Sequence, residues 1–391
     1  MPAQRIVLAE YFTTDDLTLL FLVRTDLDEP KVFEIKTPLT PIRQFVTANF
    51  GATAEGSQVR DLDVSAWQEN FGPFVEPLLQ WTDEGDIIWL VPHDVLHYLP
   101  LHALQVEGRY LIERNPVCYT PSASVMKYCH AKRKGRRSQA LVFGDSRNNL
   151  PHARDEALAI AALFGATPYL QEQATKSRLK EKLATERAEL DILHFACHGY
   201  FDPNQPLQSG IRFAPESNDE QVDQHQWDLT AEEIFGLEMQ ADLVTLSACE
   251  TGVNERRPGD ELIGLTRALI YAGTPSVVVS LWQVNSLSSQ ILMERFYKGL
   301  QQPDVLKVTA LQQAQLALRK MTYAEVCAYV EQRQQTLEAN QSAQGAEAMQ
   351  DLAVALLALE VGKPAAAQDD RWLPFAHPYH WAPFVLIGDW K

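Results

Sequence analysis

The stretch DILHFACHGYF, residues 191–201, sets His194, Cys197 and His198 within five positions. These are the residue types of a metal site, or of a nucleophilic thiol beside its base. Two histidines four apart can share a metal on a helix, where such positions stand roughly 6 Å apart. An apolar, aromatic run closed by Gly199 reads instead as a strand, on which the same pair is separated by about 13 Å at roughly 3.3 Å per residue. A zinc ion with bonds of about 2 Å cannot span that gap, so neither a metal nor another cofactor is expected. Period-2 alternation puts Leu193, Phe195 and Cys197 on one face and His194, Ala196 and His198 on the other. Cys197 is therefore expected to be a buried thiol, and the nucleophile for His198 must come from another element.

A second strand, DLVTLSAC, ends at Cys249 and is followed by the turn ETG. Open α/β sheets present functional residues at the carboxyl ends of their strands. Two neighbouring parallel strands would thus deliver His198 and Cys249 to one edge. A free thiol with a pKa near 8.5 is only a few per cent thiolate at neutral pH, so a nearby histidine activates it and later protonates the leaving amine. The backbone N–H groups of Gly199 and Cys249 are candidate donors to a tetrahedral oxyanion. The chemistry that fits is acyl transfer, meaning peptide hydrolysis.

The elements that must position this pair lie in the second half of the chain. From ALVFG onward, apolar strands alternate with helices such as PHARDEALAIAALFG and GDELIGLTRALIYAG. That rhythm predicts a doubly wound, mostly parallel α/β sheet with helices on both faces. Residues 200–228 read as a polar excursion, and TAEEIFGL as a helix whose Thr230 and Glu233 have capping-box spacing. Residues 286–370 read as helical, with a polar, low-complexity surface insertion at about 320–370 ahead of the last strand, WAPFVLIGDW. The first half, residues 1–131, reads as a smaller α/β unit. It begins with a three-stranded antiparallel meander and includes the buried strand DIIWLVP and a helix opened by Pro121 and Ser122. Between the halves KRKGRRS, residues 132–138, reads as a solvated basic linker. The catalytic unit is then 139–391.

Bulk composition narrows the function classes. With 46% hydrophobic and 22% charged residues the chain has the balance of a soluble globular protein. A net charge of −17 argues against nucleic acid or an anionic membrane as a partner. MPAQRIVLAEYFTTDD lacks the unbroken apolar stretch of a signal peptide, and no segment is long and uncharged enough to span a bilayer. Five cysteines at irregular spacings fit reduced thiols, and a cytoplasmic location is expected.

LHFACHG followed by LSACETG, then GLTRALIYAGTPSVVVSLWQV and HPYHWAPFVLIGDW, resembles the CHAT domain, a branch of the caspase and separase clan of cysteine proteases. VPHDVLHYLPLHAL, YLIERNPVCYTPSASV and LPHARDEALAIAALF resemble that family's non-catalytic, pseudocaspase-like leading half. The resemblance implies a caspase-like fold, a His198–Cys249 dyad and a protein substrate. It also makes His93, His97 and His102 structural or hydrogen-bonding residues. Two departures bear on specificity. Where separases carry acidic residues after the LW-V strand, this sequence has QVNSLSSQ, with Asn285 and no carboxylate. Where caspases carry an arginine after the tryptophan, it has Gln283. Further candidates for reading the substrate are Asp155, Glu156, Asp260, Glu261 and Trp282. The four carboxylates equally suit first-turn positions that complement a helix dipole, and Trp282 suits a buried strand end. The resemblance further implies an activity held latent, in bacterial stress or antiviral defence. Control would come from a regulatory protein supplied in trans, from the 320–370 insertion, or from cleavage of the basic linker. The rival expectation is a catalytically silent scaffold with the same fold.

Overall fold

The structure is a computed structural model and describes residues 5–50, 56–135, 137–200, 205–217, 223–247, 261–282, 286–340, 343–363 and 371–391. The opening apolar runs form the antiparallel meander that their alternation predicts: β1 (Ile6–Thr13), β2 (Thr18–Val23) and β3 (Lys31–Ile35). Helices α1 (Leu39–Phe50), α2 (Gly56–Asp61) and α3 (Val64–Phe71) lead to β4 (Ile87–Val91), which is buried at every position. A small hairpin, β5 (Gln105–Val106) and β6 (Arg109–Tyr110), precedes α4 (Leu111–Arg114), β7 (Val117–Tyr119) and α5 (Ala123–Lys132). Ser122 caps α5 by accepting from Val125 N, which satisfies one of the orphan donors of the first turn.

The second half alternates as its sequence predicts. β8 (Ala140–Gly144), α6 (Pro151–Leu163), β9 (Tyr169–Leu170), α7 (Lys176–Glu186) and β10 (Ile192–Ala196) come first. Gly165, at φ +61°, supplies the left-handed residue that stops α6. The polar excursion is itself structured as three short antiparallel strands, β11 (Gly199–Tyr200), β12 (Gly210–Arg212) and β13 (Asp228–Thr230). Strands of two or three residues are too short for alternation to reveal. After them come α8 (Ala231–Phe235), with the expected capping box, then β14 (Leu243–Leu246), α9 (Glu261–Tyr271) and β15 (Ser276–Ser280). The chain ends with α10 (Ser286–Leu300), α11 (Lys307–Arg319), α12 (Tyr323–Asn340), α13 (Ala343–Val361), α14 (Pro378–Trp381) and β16 (Phe384–Gly388).

Eleven strands share one sheet in the order β3-β2-β1-β4-β7-β16-β15-β14-β10-β8-β9. It is mostly parallel, with antiparallel pairing at β1–β2–β3 and at β15–β16. The sixth position belongs to β16, paired with β7 on one side and β15 on the other, so the last strand of the chain joins the two halves. With right-handed crossovers between the parallel strands β8, β9, β10, β14 and β15, α6 lies on one face of the second half and α7, α8 and α9 on the other, and α10 packs on α6 and on α11.

Two segments expected at the surface are tied down. The basic stretch is exposed at Lys132, Gly135 and Ser138, and aspartates at the amino ends of neighbouring strands accept backbone donors within it and just after it. Lys134 N bonds to Asp242 Oδ1 at 2.8 Å, and Ser138 N and Gln139 N bond to Asp191 Oδ2 at 2.9 and 3.1 Å. Residues 320–370 contribute the α12–α13 hairpin, which buries Val326, Val330, Ala348 and Leu352 and packs on α6.

Candidate active site

Every residue of β10 is buried, and the chain leaves its carboxyl end through Cys197 and His198. β8, its neighbour, has β9 on one side and β10 on the other, so the connections diverge there. At such a switch point the loops above the carboxyl ends separate and open a crevice. His198, at 2% exposure, stands at this point with Nε2 2.5 Å from Asn149 Oδ1. An amide oxygen only accepts, so His198 Nε2 carries the proton and Nδ1 is the basic nitrogen.

Asn149 belongs to the loop after β8, and no sequence motif singles it out. The strand-end rule that selects His198, applied to ALVFG, would have pointed to residues 145–150. The loop is built around Asp145, a buried residue at φ +47°. Its Oδ1 accepts from Asn149 N and Leu150 N, both at 2.8 Å, and its Oδ2 accepts from Arg154 at 2.7 and 3.1 Å. Gly144 allows α6 to close over this loop, since a Cβ there would fall 2.6 Å from Ala157 Cβ.

Alternation along β10 holds. Phe195 stacks on Phe143 and meets Phe213 edge-on, while His194 faces α6 and α10, with Nδ1 3.1 Å from Tyr297 OH and Nε2 3.0 Å from Glu156 Oε1. Tyr297 OH in turn donates to Thr245 Oγ1 at 2.7 Å. Cys197 is 1% exposed, and burial pushes its thiol up to about 12, so it remains protonated and unreactive at neutral pH.

β14 runs parallel to β10 with a constant offset of 51 positions, from Ile192↔Leu243 to Phe195↔Leu246, and Ser247 N extends the pairing by donating to Phe195 O at 2.9 Å. His198 and Cys249 are separated by the same 51 positions. Cys249, Asp260, Gln283 and Asn285 lie outside the described residues. Glu261 opens α9. Arg212 N donates to His198 O, so Gly199 holds the next, non-hydrogen-bonded position against Ile211 and turns its N–H away from β12.

A family model for the CHAT domain matches residues 66–389. The chain belongs to the CHAT domain family. Among curated proteins it is similar to Tetratricopeptide repeat protein 28 of Mus musculus, 26% identical over 259 residues, which is 54% of this chain and 10% of that protein. The human protein of the same name is 27% identical over 229 residues, 51% of this chain and 9% of that one. The chain thus spans about a tenth of these relatives. Among solved structures it is similar to the separase–securin complex of Saccharomyces cerevisiae, with a TM-score of 0.40, 13% identity, and coverage of 66% of this chain and 16% of that one. It is also similar to the Arg-specific cysteine proteinase gingipain R, with a TM-score of 0.35, 8% identity, and coverage of 90% and 74%.

Within this CHAT fold three of the candidate substrate-reading residues are engaged in the interior. Asp155, in the first turns of α6, is 1% exposed, accepts from Arg333 of α12 at 2.5 Å and also bonds to Gln290. Glu156 faces His194, as described. Trp282 is 3% exposed, donates to Tyr379 O at 3.2 Å and meets Trp67 edge-on. The leading-half histidines have partners of their own: His93 Nδ1 lies 2.6 Å from Thr13 Oγ1, and His102 Nδ1 lies 2.9 Å from Tyr119 OH. Among the described residues no helix is long and apolar enough to cross a membrane.

Proposed function

We propose that this CHAT-domain chain is a cysteine endopeptidase acting on protein substrates, with His198 as base and Cys249 as nucleophile. The observation that carries the reading is His198 itself, held by Asn149 at the switch point of the sheet. The 51-position register of the next strand supports Cys249 as its partner. His198 Nδ1 takes the thiol proton, and sulfur attacks the scissile carbonyl carbon. The oxyanion is met by the N–H groups of Gly199 and Cys249. The imidazolium protonates the departing amine, and water then cleaves the thioester with the same histidine as base. Asp260, Glu261, Gln283 and Asn285 remain the candidates for reading the substrate. The enzyme is cytoplasmic and latent, released by a protein partner in bacterial stress or antiviral defence.

A peptide-library cleavage profile tests this. Cleavage disappears in Cys249→Ala and His198→Ala and persists in Cys197→Ala. A folded Cys249→Ala that cuts at the wild-type rate would overturn the assignment. Absence of cleavage by the wild type, with and without candidate partners, would favour the scaffold.

A further inference from the structure

We infer that Asn149 is a positioning residue for His198, an inference that rests on the dyad reading above. The His198 ring has two nitrogens, and catalysis needs one particular nitrogen free of its proton and aimed at the sulfur. Asn149 Oδ1, 2.5 Å from Nε2, holds the proton on that nitrogen and leaves Nδ1 basic. It also fixes the rotation of the ring about its Cβ–Cγ bond, because a short hydrogen bond tolerates little departure from alignment.

The support behind Asn149 separates a positioning role from a chance contact. Its backbone N–H is held by Asp145 Oδ1, and the remaining carboxylate oxygen of Asp145 is held by Arg154. Arg154 also reaches Asn148 Oδ1 at 3.1 Å and pairs with Glu347 on α13. Asp145 N donates to Ala196 O at 2.9 Å, which registers the base of the loop against the strand that carries His198. Loop and histidine are thus fixed to each other at two points, one backbone and one side chain. An amide suits this role because it accepts the proton without adding a charge, so the imidazolium is not stabilised beyond what proton return to the leaving group allows.

Two readouts on the full chain test this without a known substrate. In the Cys249→Ala background, nitrogen-15 NMR of the His198 ring should report the Nε2–H tautomer. Asn149→Ala should give a mixture of tautomers, and Asn149→Asp should raise the imidazolium pKa by about one unit, as an adjacent carboxylate does. With Cys249 present, its alkylation by iodoacetamide at pH 7, followed by peptide mass spectrometry, should slow by about tenfold or more in Asn149→Ala, a part of the roughly hundredfold or more that a positioned base contributes. It should recover in Asn149→Asp. An unchanged tautomer, ring pKa and alkylation rate in both variants would refute the role of Asn149. Alkylation of Cys249 that is no faster than that of an ordinary thiol and indifferent to His198→Ala would instead refute the dyad, whatever the ring NMR shows.

Discussion

Arg133 and Asp389, 256 positions apart, meet in a two-armed ion pair with Nε to Oδ2 at 2.6 Å and the terminal nitrogen to Oδ1 at 2.5 Å. The contact ties the segment between the halves to the residue just past β16. Asp389 is fully buried and also lies 3.5 Å from Lys307 Nζ, which is itself 2.8 Å from Asp242. Removing one member of such a buried cluster leaves uncompensated charge, at a typical cost of about 3 kcal/mol or more. Asp389→Asn should therefore lower the urea midpoint at unchanged slope. It should also speed trypsin cleavage after Arg133 and Lys134. Cleavage there at the same rate in both proteins would show that the clamp does not protect the segment.

The α12–α13 hairpin is held to α6 by Arg333–Asp155 and Arg154–Glu347. Arg333→Ala strands a carboxylate at 1% exposure, so the expected loss is about 3 kcal/mol, most of it from the unpaired charge. The double variant Arg333→Ala, Asp155→Asn should recover part of that loss, because the Asp155 charge is removed with its partner. A denaturant cycle on the four proteins measures both terms. If Asp155 instead reads substrate, Asp155→Asn alone would change cleavage preference while leaving stability intact.

Burial lowers five histidines below their ordinary value of 6.5: His102 to about 3, His380 to about 3 and His97 to about 4, with His152 and His377 shifted in the same direction. A depressed folded pKa contributes stability that is complete above the unfolded value and is lost as pH falls below it. Between pH 6.5 and about 4 the unfolded chain binds up to three more protons than the folded one at the first three of these sites. Each contributes a slope of about 1.4 kcal/mol per pH unit, so together they can reach about 4. Urea unfolding at pH 7.5, 6 and 5 should show a steep loss across this window, and His102→Gln should make the slope shallower. Constant stability from pH 7.5 to pH 5 would rule this out.

One separation within the candidate site was legible locally. Period-2 alternation separated Cys197 from His198, and the structure buries both just past the end of β10, with His198 meeting Asn149. Asn149 was not legible, because nothing in NNLP announces a partner 49 positions on. Asp155 and Glu156 show the same limit from the other side. Both read as first-turn charges in the sequence, whereas α6 opens at Pro151 and has no acidic residue in its first turn, and a helical pattern does not say whether a carboxylate meets water, a substrate, or Arg333 from 178 positions away.

By itself, the sequence determined the elements and their inward faces. Apolar period, caps such as Ser122 and Thr230, and stops such as Gly165 act within a few residues, so they can be read there. Only the tertiary structure decided that β16 closes one sheet from two halves, that β11, β12 and β13 pair, that the basic segment is clamped, and that Asn149 meets His198. Each of these depends on a group that is distant in sequence. A pattern of polarity specifies that a donor or carboxylate needs a partner, whereas the packing of whole elements selects which partner arrives.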